Sequence, residues 1–507
     1  MTMMAHLPIL LVLAPLFGAL VTMFLGRSPR AAWAWTQTVT GVVLLVTIAL
    51  AGQVWEHGVL SYQIGRWPRE YGIELRVDAL NSLILAIIAV IGVVSTWFGR
   101  LSIAAEIPAD RQHIFYTIWQ LCLMGMLGMT ITGDAFNVYV MLEISALTVY
   151  TLIAMGKDRD RRALTAALRY LVVGSIGATF ILLGIGYLLM ATGTLNMVDM
   201  AAQLADMRAQ GTLLENRMVL VAFAFLLVGM SLKMALYPLH MWLPNAYTFA
   251  PSAVSAMLAA TATKVGVYIA IRFLLTVFGY EFSFRDLSST GVLLTLASAG
   301  ILICSVIAIR QTDIKRLLAY SSVAQIGYMV LGFSLGNVPG IAGSAVHMVN
   351  HAMMKGGMFL ALGCVVYRLG GAQLADLRGL GRRMPWTMAA FTAGGLGLIG
   401  FPLTAGFISK WYLVRGCLEA GYWYLAAVVL VGSLLAVIYV WKVVEAIYFG
   451  QRREDAPPVR EAPASMVLAS WSLIVISLVL GCWSAVTGAF AERAAASLLT
   501  LVGEAMP

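Results

Sequence analysis

Charged side chains are scarce in this sequence. Asp, Glu, Lys and Arg supply 11% of its 507 residues, against roughly 25% in an average soluble domain. That shortage excludes a soluble globular fold. Cysteine is sparse too: Cys122, Cys304, Cys364, Cys417 and Cys482 stand singly in apolar stretches. No pair has metal or redox spacing, so all five read as small apolar core residues. Phosphate loops and flavin or haem signatures are missing. Gly395, Gly397 and Gly400 do spell GxGxxG, but that motif needs a preceding strand and a βαβ unit. Here it lies inside an apolar run, where glycines allow close helix packing. The expectation is a chain with no cofactor, no metal and no redox chemistry of its own.

What the sequence has in excess is apolar length. Hydrophobic residues make up 61% of the chain, and the mean hydropathy is +0.87. The bilayer is therefore the main solvent of a polytopic membrane protein. Segments long enough to span it, about 20 residues, fall near 7–26, 31–52, 78–98, 113–132, 134–155, 164–190, 218–245, 251–278, 291–309, 315–335, 341–367, 386–418, 423–449 and 464–490. The predicted fold is all-α, with about 14 transmembrane helices in one bundle. The first segment lacks a preceding basic region and is expected to be retained as a helix. Segments 218–245 and 386–418 are too long for one straight crossing, and each contains an internal proline.

The loops orient the bundle. Eighteen Lys and Arg fall in one alternating set of loops and seven in the other. Basic loops stay in the cytoplasm, so both termini are predicted on the outer side of the cell inner membrane. The same asymmetry accounts for the net charge of +9 without a nucleic-acid partner.

Eight basic residues remain within the apolar segments. Arg169, Arg272 and Arg415 lie near segment ends and can snorkel. Lys442 and Glu445 sit three apart and can neutralise each other. Lys233, Lys264, Lys355 and Lys410 lie deeper, where a lysine costs roughly 2.5–3.5 kcal/mol to insert. Stability alone does not explain four of them. Desolvation disfavours a buried ammonium and a nearby carboxylate restores it, so a movable carboxylate makes a switchable proton site. Glu143, in FNVYVMLEISALTVY, is the only acid deep in the first half and is the expected partner of Lys233. The plainer alternative is a static ion pair holding two helices.

Pro238 and Pro402 give the two long segments a common pattern. YPL at 237–239 echoes FPL at 401–403, and Lys233 and Lys410 lie beside them. Proline frees backbone groups, which the bilayer tolerates only where protein or water covers them. Matching breaks in two halves suggest an inverted-repeat transporter, although prolines also kink helices without function. In GSAVHMVNHAMMKGGMF, His347, His351 and Lys355 recur at i, i+4 and i+8, one stripe on a helix. Histidine titrates near neutral pH, so the stripe suits proton relay. Metal binding is disfavoured because HMVNH lacks the glutamate of HExxH, and satisfied core histidines are the bland alternative. His240 is a possible neighbouring relay, and Lys264 a link from Lys233 to the stripe.

These residues resemble a known family, the antiporter-like subunits shared by Mrp-type cation/proton antiporters and respiratory complex I. The resemblance covers nearly the whole chain. It rests on TGDAFNVYVMLEISAL, LKMALYPLHMWLPNAYTFAPSAVSAML, TKVGVY, DIKRLLAYSSVAQIGYMVLG, HMVNHAMMKGGMFLALG and GFPLTAGFISKW. It implies two inverted five-helix repeats with helices 7 and 12 broken: helices 1–3 at 1–98, repeats at 113–278 and 291–449, and helix 14 at 464–490. It implies an input pair at Glu143 and Lys233, a central axis through Lys264, His347 and His351, and an exit at Lys410. Within the family, the length, Lys410 and the wording around Glu143 and His351 favour the D type of Mrp subunit. FPLTAGF and LKMALYPLHMW depart from the commoner double-proline PPL and LKxPLFPFHxW. The implied function is proton translocation in a multisubunit Na+ or K+/proton antiporter, a transporter subunit rather than an enzyme, beside Mrp A, B, C, E, F and G-like partners. The alternatives are a proton-pumping subunit of a complex I-type quinone oxidoreductase or membrane-bound hydrogenase, and a scaffold that has lost transport.

Overall fold

The computed structural model describes residues 6–26, 28–451 and 458–500. Arg27, Arg452 and Arg453, three of the loop cations counted above, lie outside the described residues. The first helices are α1 (Leu7–Phe24), α2 (Pro29–His57), α3 (Ala79–Glu106), α4 (Gln112–Ile131), α5 (Ala135–Ala154), α6 (Arg162–Thr192) and α7 (Met197–Ala209). The broken middle follows as α8 (Arg217–Met234), α9 (Leu243–Phe249), α10 (Ser252–Ala260) and α11 (Ala262–Ile271). Next come α12 (Ser289–Arg310), α13 (Ile314–Ser334), α14 (Val338–Leu369), α15 (Pro385–Ile399) and α16 (Ala405–Glu419). The last are α17 (Trp423–Tyr448), α18 (Ala464–Cys482) and α19 (Ala485–Thr500). A short antiparallel hairpin, β1 (Leu60–Gln63) with β2 (Glu74–Val77), pairs Leu60 with Val77 between α2 and α3.

Helices dominate because lipid offers the backbone no hydrogen bonds, so each crossing must satisfy its own. Their ends are written in the sequence. Asp134 caps α5 by accepting from Asn137 N, and Asp313 caps α13 by accepting from Arg316 N. Asn337 caps α14, and left-handed Gly370 ends it. Among the described residues, thirteen helical segments are long and apolar enough to cross a membrane. The fourteenth crossing is the pair α15 and α16, each 15 residues and too short alone. The expected count of fourteen therefore agrees with the structure.

Burial sorts the helices into layers. α14 runs through the middle, buried from Pro339 to Val366, with α10 and α13 beside it. α1, α2, α6, α12 and α17 turn Phe17, Leu45, Leu168, Val292 and Leu434 outward, the apolar surface a lipid-facing ring requires. Backbones approach closely where side chains vanish: a Cβ on Gly229 of α8 would stand 2.8 Å from the Gly177 carbonyl of α6.

Three crossings are interrupted, not two. α8 ends at Met234, where Ala235 turns left-handed at φ 58°, and α9 resumes at Leu243. α15 ends at left-handed Gly400, φ 88°, and α16 resumes at Ala405. These are the two breaks the prolines predict, and Tyr237–Pro238 is a cis peptide. The third, at Thr261 between α10 and α11, lies in the segment expected to run unbroken over 251–278, and a π-helical stretch at Arg272–Val277 follows it. The last expected segment, 464–490, also differs: α18 stops at Cys482 and α19 starts at Ala485. Cys482 is exposed, so it is not a core residue like the other four cysteines.

Candidate functional site: a buried polar axis

The axis begins between α5 and α8. Lys233 stands one residue before the end of α8, and Glu143 lies within its electrostatic reach. They do not form a direct ion pair: Lys233 Nζ and Glu143 Oε1 are both buried without a hydrogen-bond partner. An unpaired buried ammonium costs several kcal/mol. Lys233 lines a small cavity of about 40 Å3, with Ser145 and Tyr170 in its wall. Water needs roughly 10–15 Å3 measured this way, so the space beside the ammonium suits a water relay.

Lys264 comes next, fully buried on α11. Its Nζ donates to the Ala259 carbonyl and lies 3.5 Å from Thr263 Oγ1. The break at Thr261 interrupts the helix that would otherwise leave this carbonyl less accessible. Small residues, Ala259 to Ala262 among them, leave room for the lysine to fold back.

The α14 stripe is buried along its whole length. Lys355 Nζ donates to Leu318 O at 2.9 Å and to Ser321 Oγ, both on α13. His351 has no hydrogen-bond partner at either ring nitrogen. It stacks on His347 with ring centroids 6.1 Å apart. His347 has a partner at each nitrogen: Ser409 Oγ at Nδ1 and Gln325 Oε1 at Nε2, both 2.8 Å. A neutral imidazole donates at one nitrogen and accepts at the other, so this pair suits it without a charge.

Ser409 carries the axis to α16, where Lys410 follows it in the chain. Lys410 Nζ donates to Leu398 O at 3.1 Å, Ile399 O at 2.8 Å and Ser433 Oγ at 2.8 Å. It also lies 5.1 Å from the Tyr328 ring centroid. The two carbonyls belong to the end of α15, where the helix dipole is negative. Gly400 permits this approach, since a Cβ there would stand 3.0 Å from Lys410 Cδ.

Several expected residues stand apart. Pro238 and Pro402 are exposed at the outer edges of their breaks. His240 is buried but faces Cys304 Sγ at 3.9 Å and stacks near Tyr237; none of these contacts involves Lys233. Lys442 does not neutralise Glu445. It donates to Ile309 O at 2.8 Å and Gln311 O at 3.0 Å, capping the end of α12. Arg272 does not snorkel: it pairs with Asp78 at 2.5 Å and is mostly buried. Lys315, counted with the loop cations, is fully buried in the first turn of α13, 3.4 Å from Ala250 O. Ser321, Gln325, Ser409 and Ser433 complete the axis and were not expected from the sequence. A signal existed for the first two, since Lys315, Ser321, Ser322 and Gln325 share helical spacing on α13. Among the described residues, no group of three His, Cys, Asp or Glu is placed to hold a metal ion.

Known proteins share this fold. Residues 132–436 match the family described as NADH:quinone oxidoreductase/Mrp antiporter, transmembrane. The chain is 41% identical to the N-type subunit of the NADH-quinone oxidoreductase of Desulforudis audaxviator, over 97% of both chains. It is 28% identical to the D-type subunit of the Na(+)/H(+) antiporter of Alkalihalophilus pseudofirmus, over 87% of this chain and 86% of that one. Its fold superimposes on a chain of the Mrp complex from Dietzia sp. DQ12-45-1b with a TM-score of 0.89, at 25% identity and 98% coverage of both.

Proposed function

We propose that this chain, which belongs to the NADH:quinone oxidoreductase/Mrp antiporter transmembrane family, is a proton-translocating subunit of a multisubunit Na+ or K+/proton antiporter. The observation that carries this reading is the buried axis itself. Lys264, Lys355, His351, His347 and Lys410 are all buried, His351 stacks on His347, and Ser321, Gln325, Ser409 and Ser433 contact Lys355, His347 and Lys410, with Lys233 beside its own cavity. A core built for stability alone would fill these positions with apolar side chains.

In this reading Glu143 and Lys233 form the input. Lys233 holds a proton while the carboxylate is close and passes it inward when the carboxylate moves away. Lys264 and Lys355 receive it against carbonyl oxygens, His351 and His347 relay it, and Lys410 releases it at the second break. His240 is a side relay at the first. Residues 113–278 and 291–449 act as two repeats of one design. The basic loops face the cytoplasm, and both termini lie outside the plasma membrane. Subunits like those of Mrp complexes surround the chain, and protons moving inward drive export of Na+ or K+.

A second reading keeps the axis and changes the drive. The 41% identity to a quinone oxidoreductase subunit favours a redox-driven pump, in which soluble subunits supply the energy. One experiment separates the two. The protein is tagged, purified gently from its native membrane, and its companions are weighed and scanned for visible absorbance. Small colourless hydrophobic partners support the antiporter. Brown iron–sulfur absorbance with large soluble subunits overturns it in favour of the pump.

A further inference from the structure

We propose that the groove between α6, α9 and α13 binds one anionic phospholipid, whose phosphate is held by Arg169 and Arg316. The groove encloses about 490 Å3, within the range of small-ligand pockets. Its wall is apolar along Leu168, Val172, Met241 and Trp242, and Arg169 and Arg316 stand in its lining. It lies next to the first helix break, on the outer surface of the bundle.

The two arginines differ from those that already have an acid. Arg159 pairs with Glu106, Arg162 with Asp160, Arg272 with Asp78 and Arg415 with Glu419. Among the described residues, Arg169 and Arg316 have no ion pair, and Arg316 Nε is buried without any hydrogen-bond partner. Nearby Asp313 is already engaged, accepting from Arg316 N and from Gln373 Nε2. Two guanidinium forks around one cavity match the oxygens of a phosphate diester.

Depth favours a lipid over a free anion. Arg316 lies in the first turn of α13, at the end of the bundle where α6 begins. Arg169 lies seven residues into α6, about 10 Å further in, and can snorkel back. The same end carries Lys157, Arg159 and Arg161, and such basic faces attract anionic headgroups. Phosphate alone leaves the apolar wall uncovered. An acyl chain covers Leu168 and Val172, and reaches Met241, which is 69% exposed beside an interrupted backbone. A partner helix would have to bring acids into an apolar surface. The lipid therefore closes the outer side of the first break, a role independent of what drives the transport.

The test uses the full-length protein with its natural companions, transferred to nanodiscs of equal phosphatidylglycerol and phosphatidylcholine and analysed by native mass spectrometry. The wild type should retain one phosphatidylglycerol per copy at high collision energy. R169Q/R316Q should reduce that retention about tenfold, as expected for the loss of two charge contacts. V172W should do the same by filling the groove with both arginines intact, and it decides the matter where the double variant misfolds. A photoreactive residue at position 168 should label lipid. Undiminished retention in V172W, equal retention of phosphatidylcholine, or labelling of a polypeptide at position 168 would each overturn the proposal, the last by making the groove a subunit interface.

Discussion

Lys233 stands just before the first helix break, and Lys410 is the sixth residue after the second. Lys410 folds back onto the freed carbonyls of Leu398 and Ile399 and onto Ser433. Lys233 has no such support. The end of its own helix is already occupied: Leu232 O accepts from Trp242 Nε1 and Ala235 N, and Ser231 O accepts from Leu236 N. Its Nζ is left with a small cavity and the charge of Glu143. The two breaks thus treat a buried cation in opposite ways. Fixed dipoles hold the second lysine whatever its neighbours do. The first depends on a carboxylate and a water-sized space, both of which can change, so it is the better place to load a proton.

The largest effect tests that dependence. Lys233→Ala or Glu143→Ala should each abolish cation-dependent ΔpH in membrane vesicles, with the complex still assembled on native gels. Activity near the wild-type level in either variant would remove the input pair. Stability should then divide the two lysines. Lys410→Met leaves two carbonyls and a hydroxyl without their donor, which should cost about 2–3 kcal/mol and lower the unfolding temperature in detergent. Lys233→Met removes a buried cation that has no hydrogen-bond partner, so it should leave that temperature unchanged or raise it. Equal destabilisation would mean that Lys233 is a structural cation like any other. The histidines repeat the contrast on a smaller scale. His347→Leu strands Gln325 and Ser409 and should cost roughly 1–3 kcal/mol, whereas His351→Leu strands nothing and should leave the unfolding temperature as it was while still impairing transport.

Much of this was legible in the sequence because the bilayer simplifies the code. Apolar length gives the crossings, and proline marks two of the three breaks. Asp134, Asp313 and Asn337 announce helix starts as they do in water. The third break carries no proline. Thr261 sits in a run of small residues with the same hydropathy as an intact helix, so nothing in the pattern marks it. α7 and the β1–β2 hairpin fall in the polar stretches between crossings, where periodicity is weak. Lys315 reads as a loop cation because hydropathy drops at Asp313, yet α9 and α10 come together over it. Lys442 and Glu445 show the limit of spacing. Three residues apart is close enough to pair, but the open carbonyls of α12 were closer and of the right sign. The lysines, histidines and Glu143 stand out because charge is rare in these segments. Serine and glutamine are not rare, so Ser409 and Ser433 become visible only when the helices are packed, whereas Ser321 and Gln325 share helical spacing with Lys315 on α13.

The smallest effects compare the caps themselves. Trp242→Phe keeps an aromatic ring against Tyr170, where the indole now stacks at 4.2 Å between centroids, and deletes the donor to Leu232 O together with the five-membered ring that carries it. Ser433→Ala deletes one of three acceptors of Lys410 Nζ and leaves both carbonyls in place. Each removes one hydrogen bond, worth about 1 kcal/mol, so unfolding temperatures should fall by similar small amounts. Transport should not respond equally. At the second break the lysine keeps its carbonyls, and turnover should change little. At the first, Leu232 O loses its side-chain donor one residue from Lys233, and the ammonium gains an open carbonyl to fold onto. That would convert the first lysine toward the second, holding its proton more tightly, and turnover in Trp242→Phe vesicles should fall several-fold at unchanged assembly. Equal turnover in the two variants would mean that the caps serve packing alone and that the asymmetry between the breaks has no part in loading the proton.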